Sequence, residues 1–479
     1  MKKDTIAAVA SGMTASGIGI IRISGPEAFL ILSKIFRPRR PADVTAYPAN
    51  TVHYGHIVRN LQKEAPSASP ENDRHAEDIL DECLVTVMRA PHTYTTEDTV
   101  EINTHGGPYV MQRVLELVLE NGARAAEPGE FTKRAFLGGR IDLTEAEAVM
   151  DVIRAKSDDA LKASLSQLSG SVRDAIRVQR EILLNEMSFI EAALDDPEHY
   201  DLEGYREELK EHLQPAVEKL RELSASFGEG KMIREGILTV ILGKPNAGKS
   251  SLLNALTGEE RAIVTDIEGT TRDILEEQIR LGGLTLRVID TAGIRDARDR
   301  IEQIGIGRAR EYAERADLLL AIFDAARPLD ENDREILSLI RGKRALILLN
   351  KSDLKQVCTP EMLQKELQPG SGPLQPVLTI SVKEKEGLGR IEAEIRKLFF
   401  SGSLRFNEEP VITNARHRQA IDEALESLSY VLKSIEDGLP EDFFSIDLMD
   451  AYTKLGEIIG EEVGDDLVDA IFSKFCMGK

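Results

Sequence analysis

The stretch Gly243-Lys244-Pro245-Asn246-Ala247-Gly248-Lys249-Ser250 directly follows the apolar run Gly236 to Leu242, and that junction has the pattern of a phosphate-binding loop. Its glycines let the backbone curl so that N–H groups point at phosphates. Lys249 can serve the β- and γ-phosphates, and the Ser250 hydroxyl suits Mg²⁺. A plain tight turn between strand and helix would read the same way, so the downstream segments must arbitrate. Asp290-Thr291-Ala292-Gly293 follows the run Leu284 to Ile289. Its carboxylate can hold Mg²⁺ through water, and Gly293 lets an amide approach the γ-phosphate. Asn350-Lys351-Ser352-Asp353 follows Ala345 to Leu349, and Asp353 can accept hydrogen bonds from the guanine N1 and amino donors, a pair adenine does not present. Gly269-Thr270-Thr271-Arg272-Asp273 stands between them, where the threonine of a switch loop completes the Mg²⁺ shell. Each segment alone is an ordinary polar turn after a strand. Together, in this order, they describe a domain that binds and hydrolyses GTP. Ser381-Val382-Lys383 stands at the loop over the base, where this class carries Ser-Ala-Lys or similar.

Working outward, the short apolar runs at 236–242, 284–289, 318–323, 345–349 and 377–380 predict buried parallel strands, most of them separated by enough chain for crossover helices. Gly282-Gly283 predicts a hairpin before Leu284. Helical spacing flanks this region. Leu161, Leu165, Leu168, Val172 and Ile176, continuing through Leu183, Met187, Ile190 and Leu194 as far as Pro197, predict a core-facing stripe. Ile421, Leu425, Leu428, Leu432 and Ile435 repeat the spacing. The N-terminal part is mixed: Gly19 to Ile23 and Cys83 to Val87 read as strands, 108–121 as a helix with Val110, Val114, Leu117 and Val118 on one face, and Gln62 to Asp78 as a flexible loop. The expected fold is therefore α/β plus all-α. It comprises an N-terminal α+β domain (1–125), a helical domain (126–228 and 401–479) and a Ras-like P-loop G domain (229–400) inserted into it, which requires the insert's ends to lie close together.

Bulk properties narrow the function. A chain of 479 residues exceeds one ordinary core, and a net charge of −22 argues against binding RNA with its whole surface. Cys83, Cys358 and Cys476 lack metal or disulfide spacing, the N-terminal segment makes a poor signal sequence, and no apolar run approaches the roughly 20 residues of a membrane helix. A cytoplasmic protein with no membrane partner is expected.

Hydrolysis raises a specific question. The position after Asp-x-x-Gly, where Ras-like enzymes often carry a water-orienting Gln, holds Ile294. Glu302 is the candidate for that task, against the plainer reading of an exposed helix charge. Asn246 could hold a monovalent cation against the phosphates in place of an arginine finger, or merely stabilise its loop.

Several further segments resemble the MnmE (TrmE) family, bacterial GTPases that modify the wobble uridine of certain tRNAs. These are Ile20-Ile21-Arg22-Ile23-Ser24-Gly25, Glu101 to Gly107, Pro128-Gly129-Glu130-Phe131-Thr132, Arg134-Ala135-Phe136 and the ending Ile471 to Lys479. The resemblance implies an N-terminal folate-binding and dimerising domain and a K⁺-stimulated GTPase whose G domains dimerise across their nucleotide faces. It implies K⁺ ligands at Asn246, Thr265, Ile267 and Thr270, Mg²⁺ ligands at Ser250 and Thr271, and a catalytic Glu302. The implied GTP shell covers Asn246, Ala247, Gly248, Lys249, Ser250 and Ser251; Thr265, Asp266, Ile267, Glu268, Gly269, Thr270 and Thr271; Asp290, Thr291, Ala292 and Gly293; and Asn350, Lys351, Asp353 and Ser381. It also implies a 5-formyltetrahydrofolate-type donor at Arg22, Glu101, Arg140 and Lys479, where a carboxylate suits pterin N–H donors and cations suit glutamate carboxylates. The implied partners are tRNA and MnmG (GidA), a flavin-dependent protein that joins the homodimer in a heterotetramer to add an aminomethyl or carboxymethylaminomethyl group at uridine C5. Arg37, Arg39 and Arg40 form a small basic cluster, either an RNA contact or solvated surface. The competing classes are a ribosome-assembly GTPase, which would carry a basic appendage, and a regulatory switch that needs an activating protein.

Overall fold

The computed structural model describes residues 4–59, 78–196, 198, 199, 202, 204–258, 276–289, 310–367, 375–400 and 410–479. The predicted loop at 62–78 lies, but for its last residue, outside the described residues. The chain divides into two compact units: residues 1–150 with 456–479, and residues 151–455.

In the first unit, β1 (Ile6–Val9), β2 (Ser16–Ser24), β3 (Phe36–Pro38), β4 (Thr51–Arg59), β5 (Asp78–Met88), β6 (Thr99–Gly106) and β7 (Arg124–Ala125) form one sheet in the order β3-β4-β5-β6-β2-β1-β7. Side chains alternate across a strand, so Ile21 and Ile23, Cys83, Val85 and Val87, and Val100 and Ile102 point to one face. There they meet the helices Ala28–Ile35 and Pro108–Glu120 in a single core. The predicted helix at 108–121 buries Val114, Leu117 and Val118, with Val110 at its margin.

The motif residues Glu130 and Arg134 turn out to be architectural. The helix Glu130–Leu137 carries both, and Arg134 donates to Glu130, Glu97 and Asp4 while being only 5% exposed. Glu130 also accepts from Arg124 and from the Glu127 amide. Burial pushes the Glu130 carboxyl up in pKa, but the Arg124 and Arg134 bonds win and leave it below the ordinary glutamate value.

In the second unit, β8 (Ile237–Leu242), β9 (Glu276–Leu281), β10 (Leu284–Ile289), β11 (Leu318–Asp324), β12 (Ala345–Asn350) and β13 (Val377–Thr379) form a sheet in the order β13-β12-β11-β8-β10-β9. Every neighbouring pair is parallel except β9 with β10, the hairpin expected from Gly282-Gly283, where Gly282 has a φ of +60°. The continuous apolar runs follow from burial on both faces. In β11, Leu318, Leu320 and Ile322 join one core, while Leu319, Ala321 and Phe323 join the other. This is a Ras-like P-loop domain, inserted in chain order between helices.

The helix Tyr205–Glu235 leads into the sheet domain, and the helix Ala415–Glu436 follows it. They lie side by side, with Lys210 bonded to Glu436 at 3.0 Å and the Ile412 amide to the Ser226 hydroxyl at 3.0 Å. The ends of the insert are thereby held together.

The helical stripes need correction. Leu161 and Leu165 are 38% and 47% exposed, and Leu194 is 50% exposed. The run is broken at Gly170 (φ +92°), between the helices Asp158–Leu168 and Ser171–Asp195. The first of these turns its small face inward, because Ala160 and Ala163 join the core of the nucleotide-domain sheet and small side chains allow that close approach. Leu183, Met187 and Ile190 are buried as expected. In Ala415–Glu436 the buried face is Ile421, Ala424, Leu428 and Val431, so Leu425, Leu432 and Ile435 sit at its edge.

Glu130→Ala would take one carboxylate partner from two guanidinium groups, one of them buried, leaving Arg124 with Asp4 and Arg134 with Glu97 and Asp4. It should destabilise the folded protein by about 3 kcal/mol at neutral pH, read by denaturant unfolding. Because the folded pKa of Glu130 is depressed, its contribution is present above the ordinary glutamate range and lost as pH falls below it, so the variant and the parent should converge in acid.

Candidate functional site

The turns that leave the parallel strands β8 and β12 form one pocket of about 760 Å³. Asn246, Gly248, Lys249, Ser250 and Ser251 line it from the first turn and the helix Lys249–Gly258; Asn350, Lys351 and Asp353 line it from the second. Asn246 (φ +64°) and Gly248 (φ +113°) curl the loop in the left-handed region. A Cβ on Gly248 would lie 2.3 Å from the Asn350 side-chain amide, so only glycine fits. The Lys249 ammonium donates to the carbonyls of Gly243 and Lys244, the latter at 2.8 Å.

Asn350 is 3% exposed. Its amide donates to the Ala247 carbonyl at 2.9 Å, and its own carbonyl accepts from the Val382 amide at 3.0 Å. It is therefore a strut between the phosphate loop and the loop after β13. Ser381 is fully buried, and its hydroxyl donates to Asp353 Oδ1 at 2.7 Å. That bond is the main cause holding the Asp353 carboxyl below its ordinary pKa and leaves its charge facing the pocket. Ser381 thus orients Asp353 rather than lining the pocket, and the Val382 contact to Asn350 is made by its backbone amide. Lys351 (φ +67°) bonds Asp324 Oδ2 at 2.6 Å. Asn254, Ala255, Leu354, Val382 and Lys383 also line the pocket. The motifs missed Asn254, Ala255 and Leu354, the last a neighbour of Asp353, whereas Val382 and Lys383 belong to the segment read as the loop over the base. Thr265, Asp266, Ile267, Glu268, Gly269, Thr270, Thr271, Asp290, Thr291, Ala292, Gly293 and Glu302 lie outside the described residues.

The first unit has a second polar cluster. Arg22 and Glu101 are register partners on β2 and β6 and pair at 2.8 Å. The Arg22 guanidinium lies 5.7 Å from the Tyr94 ring centroid and 5.6 Å from that of Phe131, and it donates to the Gly478 carbonyl. Arg140 stacks over the same Tyr94 ring, with its guanidinium 4.9 Å from the centroid, and also donates to the Tyr94 carbonyl. Gly478 (φ +83°) would place a Cβ 2.3 Å from the Val9 carbonyl, so the tail passes too close to β1 for any other residue. The tail delivers Lys479 beside Arg22 and Glu101, where burial first, and the Arg22 charge second, push its ammonium below the usual lysine pKa. All four predicted residues therefore converge, with Tyr94, Phe131 and Gly478 as the members not foreseen.

Residues 143–476 match the family model described as the MnmE helical domain, and residues 5–140 match the one described as the GTP-binding protein TrmE N-terminus. The tRNA modification GTPase MnmE of Lachnoclostridium phytofermentans is 49% identical over 480 residues, covering 100% of both chains. The chain belongs to the MnmE family. The Acetivibrio thermocellus MnmE is 45% identical, again over 100% of both chains. Among solved structures, the G domain of the T. maritima FeoB iron transporter matches at 25% identity with a TM-score of 0.25, covering 34% of this chain and 98% of that one. As a member of the MnmE family this chain is a P-loop GTP hydrolase, and among its described residues no helix is long and apolar enough to cross a membrane.

Ser381→Ala would remove the hydroxyl that aims the Asp353 carboxylate at the pocket. GDP affinity should fall about tenfold, the usual scale for a hydrogen bond to a charged group, as measured by calorimetry.

Proposed function

We propose that this chain couples GTP hydrolysis to modification of the wobble uridine of certain tRNAs, acting with a flavin-dependent partner of the MnmG type to add an aminomethyl or carboxymethylaminomethyl group at C5. The observation that carries this reading is whole-length similarity to tRNA modification GTPases, joined to a pocket whose Asn350 strut and Asp353 carboxylate suit guanine.

In this reading the triphosphate lies along Asn246 to Ser251, with Lys249 released from its two loop carbonyls to meet the β- and γ-phosphates. Asp353 accepts the paired guanine donors. Ser250 and Thr271 would hold Mg²⁺, which would offset charge building on the leaving oxygens. Asn246, Thr265, the Ile267 carbonyl and Thr270 would hold K⁺, which would supply the positive charge that an arginine finger supplies elsewhere. Asn246 supports this role, since its left-handed backbone places it at the pocket wall. Glu302 orients the attacking water, as Ile294 cannot.

The Arg22, Glu101, Arg140 and Lys479 group receives a 5-formyltetrahydrofolate-type donor. Its chemistry fits: guanidinium and ammonium groups suit the folate's carboxylates, the Tyr94 and Phe131 rings suit a flat heterocycle, and Glu101 suits pterin N–H donors. The protein works as a homodimer in the cytoplasm. The partner supplies basic surface for tRNA that a chain of net charge −22 lacks.

Modified-nucleoside analysis of tRNA from cells lacking the gene tests the reading: wobble-uridine modifications should disappear, and their persistence would sink it. Purified protein should hydrolyse GTP faster in K⁺ than in Na⁺, and Glu302→Ala should lower kcat about a hundredfold or more while GDP binding holds. Asp353→Asn, which replaces a pure acceptor with a mixed donor and acceptor, should shift base preference from guanine toward xanthine, measured by competition.

A further inference from the structure

Two lysines beside the pocket are held by carboxylates from one and the same loop, and no nucleotide motif includes those carboxylates. The loop leaves β11 at Asp324 and enters the helix Glu331–Ile340. At its start, Asp324 binds the Lys351 ammonium at 2.6 Å through Oδ2 and the Ala326 amide at 3.0 Å through Oδ1, with its side chain 9% exposed. Arg327 lies farther away, at 3.7 Å. At its end, Asp330 at the helix N-cap and Asp333 in the helix's first turn each bind the Lys244 ammonium at 2.7 Å.

We propose that this loop sets guanine-nucleotide affinity by bracing both ends of the site: Asp324 through Lys351 at the base end, and Asp330 with Asp333 through Lys244 at the phosphate end. The proposal rests on the reading of this pocket as a guanine-nucleotide site. Lys351 sits in a left-handed conformation between Asn350 and Asp353, so tethering its ammonium lays the four-carbon stem along the pocket wall where a flat base would rest. Lys244 acts one step further back, because its carbonyl is one of the two that hold the Lys249 ammonium. Fixing the Lys244 side chain fixes that carbonyl and so the resting place of the phosphate-binding lysine. Preorganised loops bind with less ordering cost, so the brace should be visible in affinity. The three aspartates touch no nucleotide in this scheme; they are positioning residues. Lowered pKa values at Asp324 and Asp330 agree with their bonded state: at Asp330 the Lys244 bond is the largest cause, and at Asp324 the Lys351 and Ala326 bonds outweigh burial, which opposes them.

Amide substitutions remove charge while keeping the local hydrogen bonds, including the capping box that Asp330 and Asp333 form at the helix start, since Asn caps as well as Asp. Calorimetric titration with GDP on the full chain should show Asp324→Asn weakened about tenfold and Lys351→Met at least as much, with the double variant no weaker than Lys351→Met alone. Asp330→Asn with Asp333→Asn should weaken GDP about threefold, the pair being partly exposed, and adding Lys244→Met should change little more. In GTP turnover the aspartate variants should raise KM far more than they lower kcat. Parental GDP affinity in Asp324→Asn, or multiplication of its effect with that of Lys351→Met, would overturn the proposal, as would a lowered melting temperature with unchanged GDP binding. A parent chain that itself fails to bind GDP would instead defeat the reading of the pocket.

Discussion

The nucleotide site depends on one buried amide. Asn350 ends a central parallel strand and spends both halves of its side chain on backbone, donating to Ala247 and accepting from Val382. A buried amide left unbonded is costly, so the three loops hold one another in a single arrangement. The glycine at 248 is the counterpart of that strut, because any side chain there would occupy the amide's own space. Phosphate loop, base loop and the turn after β13 are therefore one object built at the carboxyl end of a parallel sheet, the general place for ligands in such folds.

Charge is handled locally throughout. The chain is strongly acidic, yet the cations at both polar sites are few and individually tethered. Lys244 and Lys351 rest on aspartates, Lys249 on carbonyls, Arg22 on Glu101 and two aromatic rings, and Lys479 lies in a half-buried position beside Arg22. A diffuse acidic surface repels polyanions, whereas a fixed cation beside a pocket still binds a small anion, since short-range attraction outweighs screened distant charge. The Glu130–Arg134 network follows the same rule in a structural setting. Motif residues there keep the short helix in place.

What could be read in advance differed between strands and helices. The apolar runs at 318–323 and 345–349 announced strands because both faces of the sheet are covered, leaving no polar interruption. The leucine stripe through Leu161 and Leu165 misled because periodicity marks an apolar face without saying what lies against it. The neighbour of that helix is a sheet domain reached through Ala160 and Ala163, and a stripe count gives alanines too little weight. Tyr94 and Phe131 were invisible as site residues because aromatic residues in a mixed region read as core.

Local order along the chain determined the guanine-nucleotide class, since glycine curvature, a lysine and a lone carboxylate acceptor are properties of contiguous residues. It also determined that an α/β segment interrupts a helical one. Tertiary structure alone decided that Ser381 serves Asp353, that Asp324 faces Lys351 and that the last two residues meet β1 and β2, because each of those pairs is separated by tens to hundreds of residues. Such contacts are set by strand register and by which elements are neighbours, and no spacing along the chain encodes either.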